Sequence, residues 1–276
     1  MLLGIINMKI CFVDKTDFKY SYKDKYSPKL RGAETTLINL SYNLKLLGCE
    51  IYVFNNCSKE YTENNYFWSD ISNSKLKKNY FDIAISNGDI NLLNNIISKK
   101  KYSISYSIQN LEKFIRKKQT FSFFKNRPKI VFIGKYHSSK RPFLTRIFGH
   151  KYLKLAIDDT FNSSNLSNNI DKNKAIFTSR PDRNLKMLLD IWKNKIFNKN
   201  SKNKLYVTPF SEVSSFDNCN VYSRRMLDQK DYINDIKNSR LMLIPGHKAE
   251  LFCLAAEEAR ELCIPIVTMG IGSLKE

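Results

Sequence analysis

Two glutamates near the end of the chain carry the clearest chemical signal in the sequence. Glu250 and Glu258 are separated by seven residues and lie between two apolar runs, Leu241–Pro245 and Ile264–Thr268. This pattern predicts strand, loop, short helix and strand, with the helix starting near Leu251. Glu258 then falls on the inward, apolar side of the helix. A carboxylate in such a place needs hydrogen-bond donors, and a hydroxyl-rich ligand such as a sugar supplies them.

The first turn of this helix offers anion-binding groups as well. The backbone amides near Phe252, Cys253 and Leu254 have no acceptor inside the helix and favour an anion. Glu250 and Glu258 should lie roughly 12 Å apart along the helix axis. A nucleotide-sugar presents a sugar, a diphosphate and a ribose over a similar span. Two surface glutamates on an amphipathic helix are the alternative interpretation.

A second polar segment follows another predicted strand. Lys174–Thr178 is the strand, and Arg180 and Arg183 lie between it and a helix that begins near Leu185. Guanidinium groups bind phosphate oxygens with a planar fork of donors, and a helix N-terminus adds its own positive end. The segment therefore predicts a phosphate site, with a solvated basic turn as the alternative.

Strands and helices alternate in the first half of the chain. Lys9–Asp14 and Ile51–Phe54 are predicted strands, and the helix between them starts at Arg31–Glu34 and ends at Gly48. Gly32 then lies where a loop enters a helix, at the carboxyl ends of the strands, where α/β folds bind ligands. A glycine that eases a tight turn is the alternative. The remaining elements predicted in this half are strands at Phe81–Gly88, Tyr102–Ile108 and Lys129–Gly134 and helices at Ile90–Ser98 and Leu111–Phe124.

The alternation predicts an α/β protein with two doubly wound domains. We place the first over residues 8–157 and the second over 174–276. A linker rich in Asn and Ser, residues 158–173, separates them. In the second domain we expect further strands at Lys204–Thr208, Asn220–Tyr222 and Arg240–Pro245 and a polar helix at Gln229–Ser239.

Charge and composition narrow the classes of partner. The 276 residues include 46 Lys and Arg against 26 Asp and Glu, a net charge of +20. A nucleic acid, an anionic membrane surface or a phosphorylated substrate would each fit, as would a general compositional bias toward lysine. The six cysteines form no CxxC pair and no zinc-type spacing with histidine, which fits a reducing cytoplasm. No stretch is long enough to span a bilayer.

These motifs resemble family 4 of the glycosyltransferases with the GT-B fold. Glu250-x-Phe252 followed by Glu258-Ala259 is similar to the E-x7-E signature of that family. Phe177–Arg183 resembles the strand and loop that carry basic residues to the donor diphosphate, and Arg31–Glu34 resembles the N-terminal glycine loop. The resemblance covers most of the chain, in the right order.

The resemblance implies two Rossmann-like domains facing a cleft. It implies transfer of a sugar from a nucleotide-sugar donor to an acceptor, with retention, without an essential metal and without a cofactor. By position, Glu250 would hold the donor sugar and Glu258 the ribose. Arg180 and Arg183 would neutralise the leaving diphosphate, and Gly32 would let its loop approach that group.

The sequence departs from the family pattern in three respects. Arg31 stands where a second glycine is common, and Arg183 where a lysine is usual. Many relatives carry a histidine after the fourth strand, but Tyr106 and Ser107 occupy that region here. These two residues and His137, which follows the fifth strand, are the candidates for the acceptor side. An ordinary polar residue at a strand exit is the alternative for His137.

The leading hypothesis is a glycosyltransferase that acts on a cell-surface polysaccharide, lipopolysaccharide or glycolipid. It would work in the cytoplasm or at the inner face of the membrane, where its basic charge favours an anionic surface. The sequence stops before the last strand and helices usual in this family, which predicts a truncated second domain. A nucleotide-sugar-binding protein without turnover is therefore a second hypothesis. A basic nucleic-acid-binding protein is a third, disfavoured by the lack of a known motif.

Overall fold

A computed structural model describes residues 7–27, 29–108, 111–162, 169–210, 216, 218–225 and 227–276. The chain divides into two compact units, the first ending at Leu155 and the second beginning at Ala156. Each unit is built on one largely parallel sheet with helices packed on its faces. The α/β class predicted from the alternation of strands and helices is confirmed.

The first unit contains an eight-stranded sheet with the order β3-β4-β2-β1-β5-β6-β7-β8. Neighbouring strands are parallel except for β3 and β4, which pair antiparallel at one edge. The strands are β1 (Lys9–Val13), β2 (Glu50–Asn55), β3 (Tyr61–Glu63), β4 (Tyr66–Asp70), β5 (Tyr80–Asn87), β6 (Ile97–Ser105), β7 (Lys129–Phe132) and β8 (His150–Tyr152).

Helices cover both faces of this sheet. They are α1 (Gly32–Leu46), α2 (Lys75–Lys78), α3 (Leu111–Arg116), α4 (Thr120–Asn126) and α5 (Lys135–Ser139). Phe12 of β1 belongs to the same hydrophobic cluster as Leu37 and Ile38 of α1, whereas Val13 belongs to the cluster of Phe123 in α4. Because β1 is covered on both faces, its sequence is a nearly continuous apolar run.

The second unit contains a five-stranded parallel sheet with the order β11-β10-β9-β12-β13. Its strands are β9 (Asp171–Phe177), β10 (Lys204–Val207), β11 (Val221–Ser223), β12 (Ser239–Ile244) and β13 (Ile266–Thr268). Its helices are α6 (Leu185–Ile191), which continues as one turn of π-helix (Trp192–Phe197), α7 (Gln229–Lys237) and α8 (Leu254–Glu261).

The central strand of this sheet holds two hydrophobic clusters, one on each face. Phe177 of β9 clusters with Leu188 of α6. Ile176, which points to the other face, clusters with Ile236 of α7 and Ala259 of α8. β9 therefore ends between the two helix layers, and the loops that follow β9 and β12 leave the same edge of the sheet.

The start of α8 differs from the sequence-based expectation. The helix begins at Leu254, with Cys253 as its N-cap, so the prediction of a start near Leu251 is wrong. Glu250 lies in the preceding loop, where its N–H donates to the carbonyl of His247 at 2.9 Å. That turn follows Gly246, which has a φ of +87°. The glycine and the turn hold the chain out of the helix until Cys253.

Other helices and strands of the structure also differ in their bounds from the sequence-based prediction. The helix predicted over Leu111–Phe124 is interrupted before Gln119, because Lys118 adopts a φ of +52°. The predicted helix Ile90–Ser98 is a 3-10 helix that ends at Asn95, before β6. The hairpin of β3 and β4 was not predicted from the sequence. Within the predicted linker 158–173, β9 already begins at Asp171, and residues 163–168 lie outside the described residues.

Phe177→Ala should destabilise the second unit by about 3–5 kcal/mol, because the ring is fully buried and its removal leaves a cavity. Phe143→Ala is the matched control, since that ring is 78% exposed, and we expect a change within about 0.5 kcal/mol. Chemical denaturation of both variants measures the difference. Equal stability of the two variants would contradict the core assigned to β9.

Candidate functional site

The loops after β9 and β12 meet at the carboxyl edge of the second sheet. β9 is the central strand and pairs with β12 on one side and with β10 on the other. The connections that leave β9 and β12 therefore run to opposite sides of the sheet. In open α/β sheets such a switch point leaves a crevice that binds ligands. The arginines predicted after β9 and the glutamate predicted after β12 are both placed at this edge.

An ion pair joins the two loops. Arg183 Nε lies 3.0 Å from Glu250 Oε2, and the two side chains are only 13% and 17% exposed. Arg183 Nη1 also lies 3.4 Å from Nδ1 of His247 and 3.6 Å from Oδ2 of Asp182. One guanidinium group is therefore shared among a carboxylate, an imidazole and a second, more exposed carboxylate.

Backbone contacts fix the position of Glu250. The side-chain amide of Asn184, the residue after Arg183, donates to the carbonyl of Gly246. The N–H of Ser273 donates to the carbonyl of Glu250 at 2.9 Å. Gly272 has a φ of +73°, and a Cβ there would lie 2.9 Å from the Glu250 carbonyl oxygen. Only glycine lets this segment pack so closely against the loop.

Arg180 lies farther from the ion pair. Its side chain is 69% exposed, and its Nη2 lies 3.3 Å from Oδ2 of Asp182. Asp182 therefore contacts both arginines, while only Arg183 contacts Glu250 directly. The structure brings one of the two predicted arginines into the partly buried part of the site and leaves the other on the surface.

Burial raises the pKa of Glu250 above the ordinary value of its carboxyl group, although the positive charges of Arg183 and Arg180 act in the opposite direction. The carboxylate is thus poorly solvated and depends on Arg183 for its charged form. A ligand with stronger negative charge, such as a diphosphate, could take over the guanidinium donors of Arg183.

Glu258 lies on α8 and has a tyrosine as its partner. The hydroxyl of Tyr232, on α7, donates to Glu258 Oε2 at 2.7 Å. Burial raises the pKa of Glu258, and this hydrogen bond partly offsets the increase. The ring of Tyr232 lies under the guanidinium group of Arg224, at 5.4 Å, and Arg224 Nε pairs with Asp235 at 2.7 Å. Glu258 therefore holds the hydroxyl of Tyr232, and Arg224 holds the face of its ring.

The predicted residues at the start of α8 lie between these two carboxylates in the sequence. Phe252 is half-buried, and Cys253 is buried, with its thiol pKa raised to about 12 by burial and by the negative charge of Glu250. No side chain caps the helix, so its first amides, beginning with Leu254, point out of the helix end. This helix end therefore lacks the side-chain acceptor that commonly satisfies such amides.

In the first unit, Gly32 is the first residue of α1. The N–H of Arg31 donates to Glu34 Oε2 at 3.0 Å, so a side chain of the helix already satisfies one amide at this end. The guanidinium group of Arg31 pairs with Asp17, at 2.7 Å, and its Nε lies 3.6 Å from Glu34 Oε1. Tyr106 donates its hydroxyl to Asn87 Oδ1 at 2.7 Å, and burial raises its pKa.

Ser107 and His137 contact each other. The N–H of Ile133 donates to Nδ1 of His137 at 3.4 Å, which leaves Nε2 to donate its proton to the carbonyl of Ser107 at 3.1 Å. The ring is fully buried, and burial together with the positive charge of Lys113 lowers its pKa to about 4. His137 is therefore neutral and connects the ends of β6 and β7.

Four contributors to the second-unit site were not singled out from the sequence. His247 could have been predicted, because this residue directly follows the glycine at the end of a predicted strand. Asp182 and Asn184 lie inside the quoted arginine segment but have no distinctive spacing. Tyr232 is an apolar position of a polar helix, and only the packing of α7 against α8 brings it to Glu258.

Metal ligands and membrane-spanning helices would each be recognisable among the described residues. Over these ranges, no group of three or more His, Cys, Asp or Glu side chains converges as a metal site would require. The described helices include none with the length and apolar character needed to cross a membrane.

No protein-family model matches this sequence, and no curated protein matches it either. Solved structures do match the fold. AviGT4, a glycosyltransferase involved in avilamycin A biosynthesis, is similar at a TM-score of 0.63 and 10% identity, over 97% of this chain and 81% of its own. WaaG, a glycosyltransferase involved in lipopolysaccharide biosynthesis, is similar at 0.62 and 11% identity, over 96% and 82%.

HepE from Anabaena, solved in complex with UDP and glucose, is similar at a TM-score of 0.62 and 13% identity, over 98% of this chain and 82% of its own. Over nearly its full length, this chain therefore matches glycosyltransferases with the GT-B fold. The two Rossmann-like units predicted from the resemblance to family 4 are confirmed as a fold.

Glu258→Gln should stabilise the protein at neutral to alkaline pH. The pKa of Glu258 is raised in the folded state, so its ionisation costs stability. That cost is absent below its usual pKa of 4.5, grows as the pH rises toward the raised pKa and is complete above it. It amounts to about 1.4 kcal/mol per unit of increase. The glutamine can still accept the hydrogen bond from Tyr232.

Thermal denaturation across the pH range checks this expectation. Glu258→Gln and the wild type should unfold alike at pH values below the usual pKa of the carboxyl group and diverge above it. Glu261→Gln, an exposed position on the same helix, is the control and should show no divergence. A glutamine variant that is less stable at neutral pH would mean that the carboxylate has a stabilising partner beyond Tyr232.

Proposed function

We propose that this protein is a glycosyltransferase that uses a nucleotide-sugar donor, with the donor bound by the second unit. The observation that carries the proposal is the ion pair of Arg183 and Glu250 at the carboxyl edge of the sheet, on a fold shared with glycosyltransferases. The predicted first domain, residues 8–157, would bind the acceptor, residues 158–173 would link the two domains, and residues 174–276 would bind the donor.

The donor diphosphate would bind at Arg183 and at the N-terminus of α8, which no side chain caps. Arg183 is oriented by Glu250 and Asp182, so its guanidinium group is already in place when the phosphate arrives. Arg180, on the surface, would meet the more exposed phosphate oxygens. When the bond between sugar and phosphate breaks, negative charge grows on the diphosphate, and fixed cationic donors stabilise it most at that point.

Glu250 would then hold the donor sugar. Once the diphosphate occupies Arg183, the carboxylate loses part of the positive field that opposes the effect of burial on its pKa. Sugar hydroxyl groups can donate to it in place of the guanidinium group. Phe252 and Cys253 would line the space between the sugar and the phosphate, and Gly32 would let the loop of the first unit approach the donor.

The finer features of this proposal follow from the family resemblance. They are retention at the sugar, independence of a metal, a cell-surface glycan or glycolipid as the acceptor, and an anionic membrane surface as a further partner. Tyr106, Ser107 and His137 would act on the acceptor side. The neutral, internally bonded His137 supports a role in shaping that region, because its two nitrogens are both engaged.

Arg183→Ala should weaken nucleotide-sugar binding about 10- to 100-fold, because a charge-assisted contact to phosphate is worth about 1.5–3 kcal/mol. Glu250→Gln should change binding less and reduce transfer more, since the sugar contact matters most as the bond breaks. Arg240→Ala, an exposed arginine at the start of β12, is the control. Calorimetry with a panel of UDP-, GDP- and ADP-sugars measures binding, and product formation measures transfer.

The outcomes separate the hypotheses. Binding and transfer that both fall in Arg183→Ala support the proposal. Binding of a donor with no transfer to any acceptor favours a binding protein without turnover. Binding that is unchanged in Arg183→Ala shows that the donor lies elsewhere, and salt-dependent DNA binding without any donor binding would instead favour a nucleic-acid-binding protein.

Tyr232→Phe tests the role of Glu258 as the ribose ligand. The tyrosine hydroxyl holds Oε2 and leaves Oε1 to accept from the ribose. The wild type should bind a nucleoside diphosphate about tenfold more tightly than its 2′-deoxy or 3′-deoxy form, by the usual strength of a hydrogen bond to a charged group. In Tyr232→Phe and Glu258→Gln this preference should shrink, while binding of the deoxy form stays near wild type.

Titration of the ribo and deoxy nucleotides against the three proteins completes this test. A uniform loss for both nucleotides in Tyr232→Phe would show that the tyrosine supports the fold and not the orientation of the carboxylate. Tyr222→Phe, on the edge strand, removes a hydroxyl group from an exposed ring and serves as the control.

A further inference from the structure

Large apolar side chains stand exposed on two short helices of the first unit. Leu111 and Ile115, one turn apart on α3, are 57% and 62% exposed. Phe121 and Phe124 on α4 are 74% and 46% exposed. We call the outer side of these two helices the α3–α4 face. Large exposed apolar side chains on neighbouring helices mark an interaction surface more often than single scattered ones do.

Packing beneath the face holds the two helices together. Phe114 of α3 and Phe123 of α4 are fully buried, and their ring centroids lie 5.2 Å apart. The N–H of Gln119, between the helices, donates to the carbonyl of Phe114 at 2.8 Å. Each helix therefore buries one aromatic ring and presents its other apolar residues outward, so the exposure is a fixed feature of the fold.

The charge around this face has one sign. Residues 111–152 include twelve Lys and Arg and a single acidic residue, Glu112. Among the residues that the structure describes, no carboxylate lies at ion-pair distance from Arg116, Lys117 or Lys125, all of which are exposed. More than half of the net charge of +20 thus comes from a stretch of 42 residues.

The cations are close enough to affect one another. The pKa of Lys113 is lowered to about 8 by burial and by the positive charges of Lys117 and Arg116. Lys125 Nζ lies 5.9 Å from the ring centroid of Phe121, so cation and aromatic ring share one surface. An anionic partner would relieve this repulsion, and an apolar one would cover the rings.

We propose that the α3–α4 face docks the first unit on an anionic lipid bilayer. Leu111, Ile115 and Phe121 would enter the headgroup region, and Lys117 and Lys125 would meet the lipid phosphates. Anionic lipids combine negative charge with an apolar interior, and amphipathic basic helices bind them in this way. At six and seven residues the helices are far too short to span a bilayer, so they would lie in its surface.

A nucleic acid fits the face less well. It would satisfy the lysines and could stack a base on Phe121, but it offers nothing to cover the aliphatic side chains of Leu111 and Ile115. Membrane docking by the α3–α4 face rests on the proposed function in one respect: an acceptor held in a membrane would explain why the protein docks there. Vesicle binding itself requires no donor, so it can fail or succeed independently of glycosyl transfer.

Co-sedimentation of the full chain with vesicles is the test. Vesicles of phosphatidylcholine mixed with phosphatidylglycerol should bind the protein, and pure phosphatidylcholine should bind it much less. Ile115→Ser/Phe121→Ser should weaken binding at least about tenfold at low and high salt, because it removes the inserted apolar groups. Lys117→Gln/Lys125→Gln should weaken binding about fivefold per lysine at low salt and less at high salt.

Two matched controls lie elsewhere on the same unit. Leu46→Ser changes an apolar side chain of nearly equal exposure, 61%, and Lys77→Gln/Lys78→Gln removes the same charge from α2. Both should bind vesicles like the wild type, and thermal melting should confirm that all variants are folded. The proposal is overturned if the wild type does not bind anionic vesicles, if the controls lose as much binding as the face variants, or if the face variants bind vesicles like the wild type.

Discussion

The ion pair of Arg183 and Glu250 is the contact on which the geometry of the second unit depends. Both charges are largely withdrawn from water, and a buried charge without a partner is strongly unfavourable. The arrangement in which the loops after β9 and β12 approach each other is therefore stabilised, because it pairs the two charges. Gly246, Gly272 and the side chain of Asn184 make that approach sterically feasible. The same pair gives the proposed donor site its fixed cation.

Buried carboxylates in the two units differ in how they are satisfied. In the first unit, Asp14 accepts the hydroxyl of Tyr20 at 2.5 Å. Glu34 accepts a backbone N–H of its own helix end and pairs with the exposed guanidinium group of Arg31. Burial raises the pKa of both groups. In the second unit, the partner of Glu250 is a largely buried guanidinium group that can also bind a phosphate, and Glu258 keeps an oxygen that Tyr232 does not use. This difference favours ligand exchange in the second unit.

Much of the fold could be predicted because most strands and helices are specified by their own short stretches of sequence. Runs such as that of β1 are apolar throughout, since strands covered on both faces have no polar side, and the helix that follows carries its own start and stop signals at Gly32 and Gly48. The misses have equally local causes. The hairpin of β3 and β4 consists of polar and aromatic residues without regular alternation. Lys118 breaks a helix with a positive φ that its residue type does not announce.

The candidate site divides in the same way. The sequence by itself determined which groups are available: two carboxylates with seven residues between them, two arginines after a strand and a glycine at a helix start. These features depend only on the order and spacing of residues along the chain. Only the tertiary structure decided that Arg183 and not Arg180 reaches Glu250, that Glu250 lies before the helix and not in it, and that Tyr232 holds Glu258. The reason is that these contacts join residues 26 to 67 positions apart, where packing of neighbouring strands and helices, and not local spacing, sets the distances.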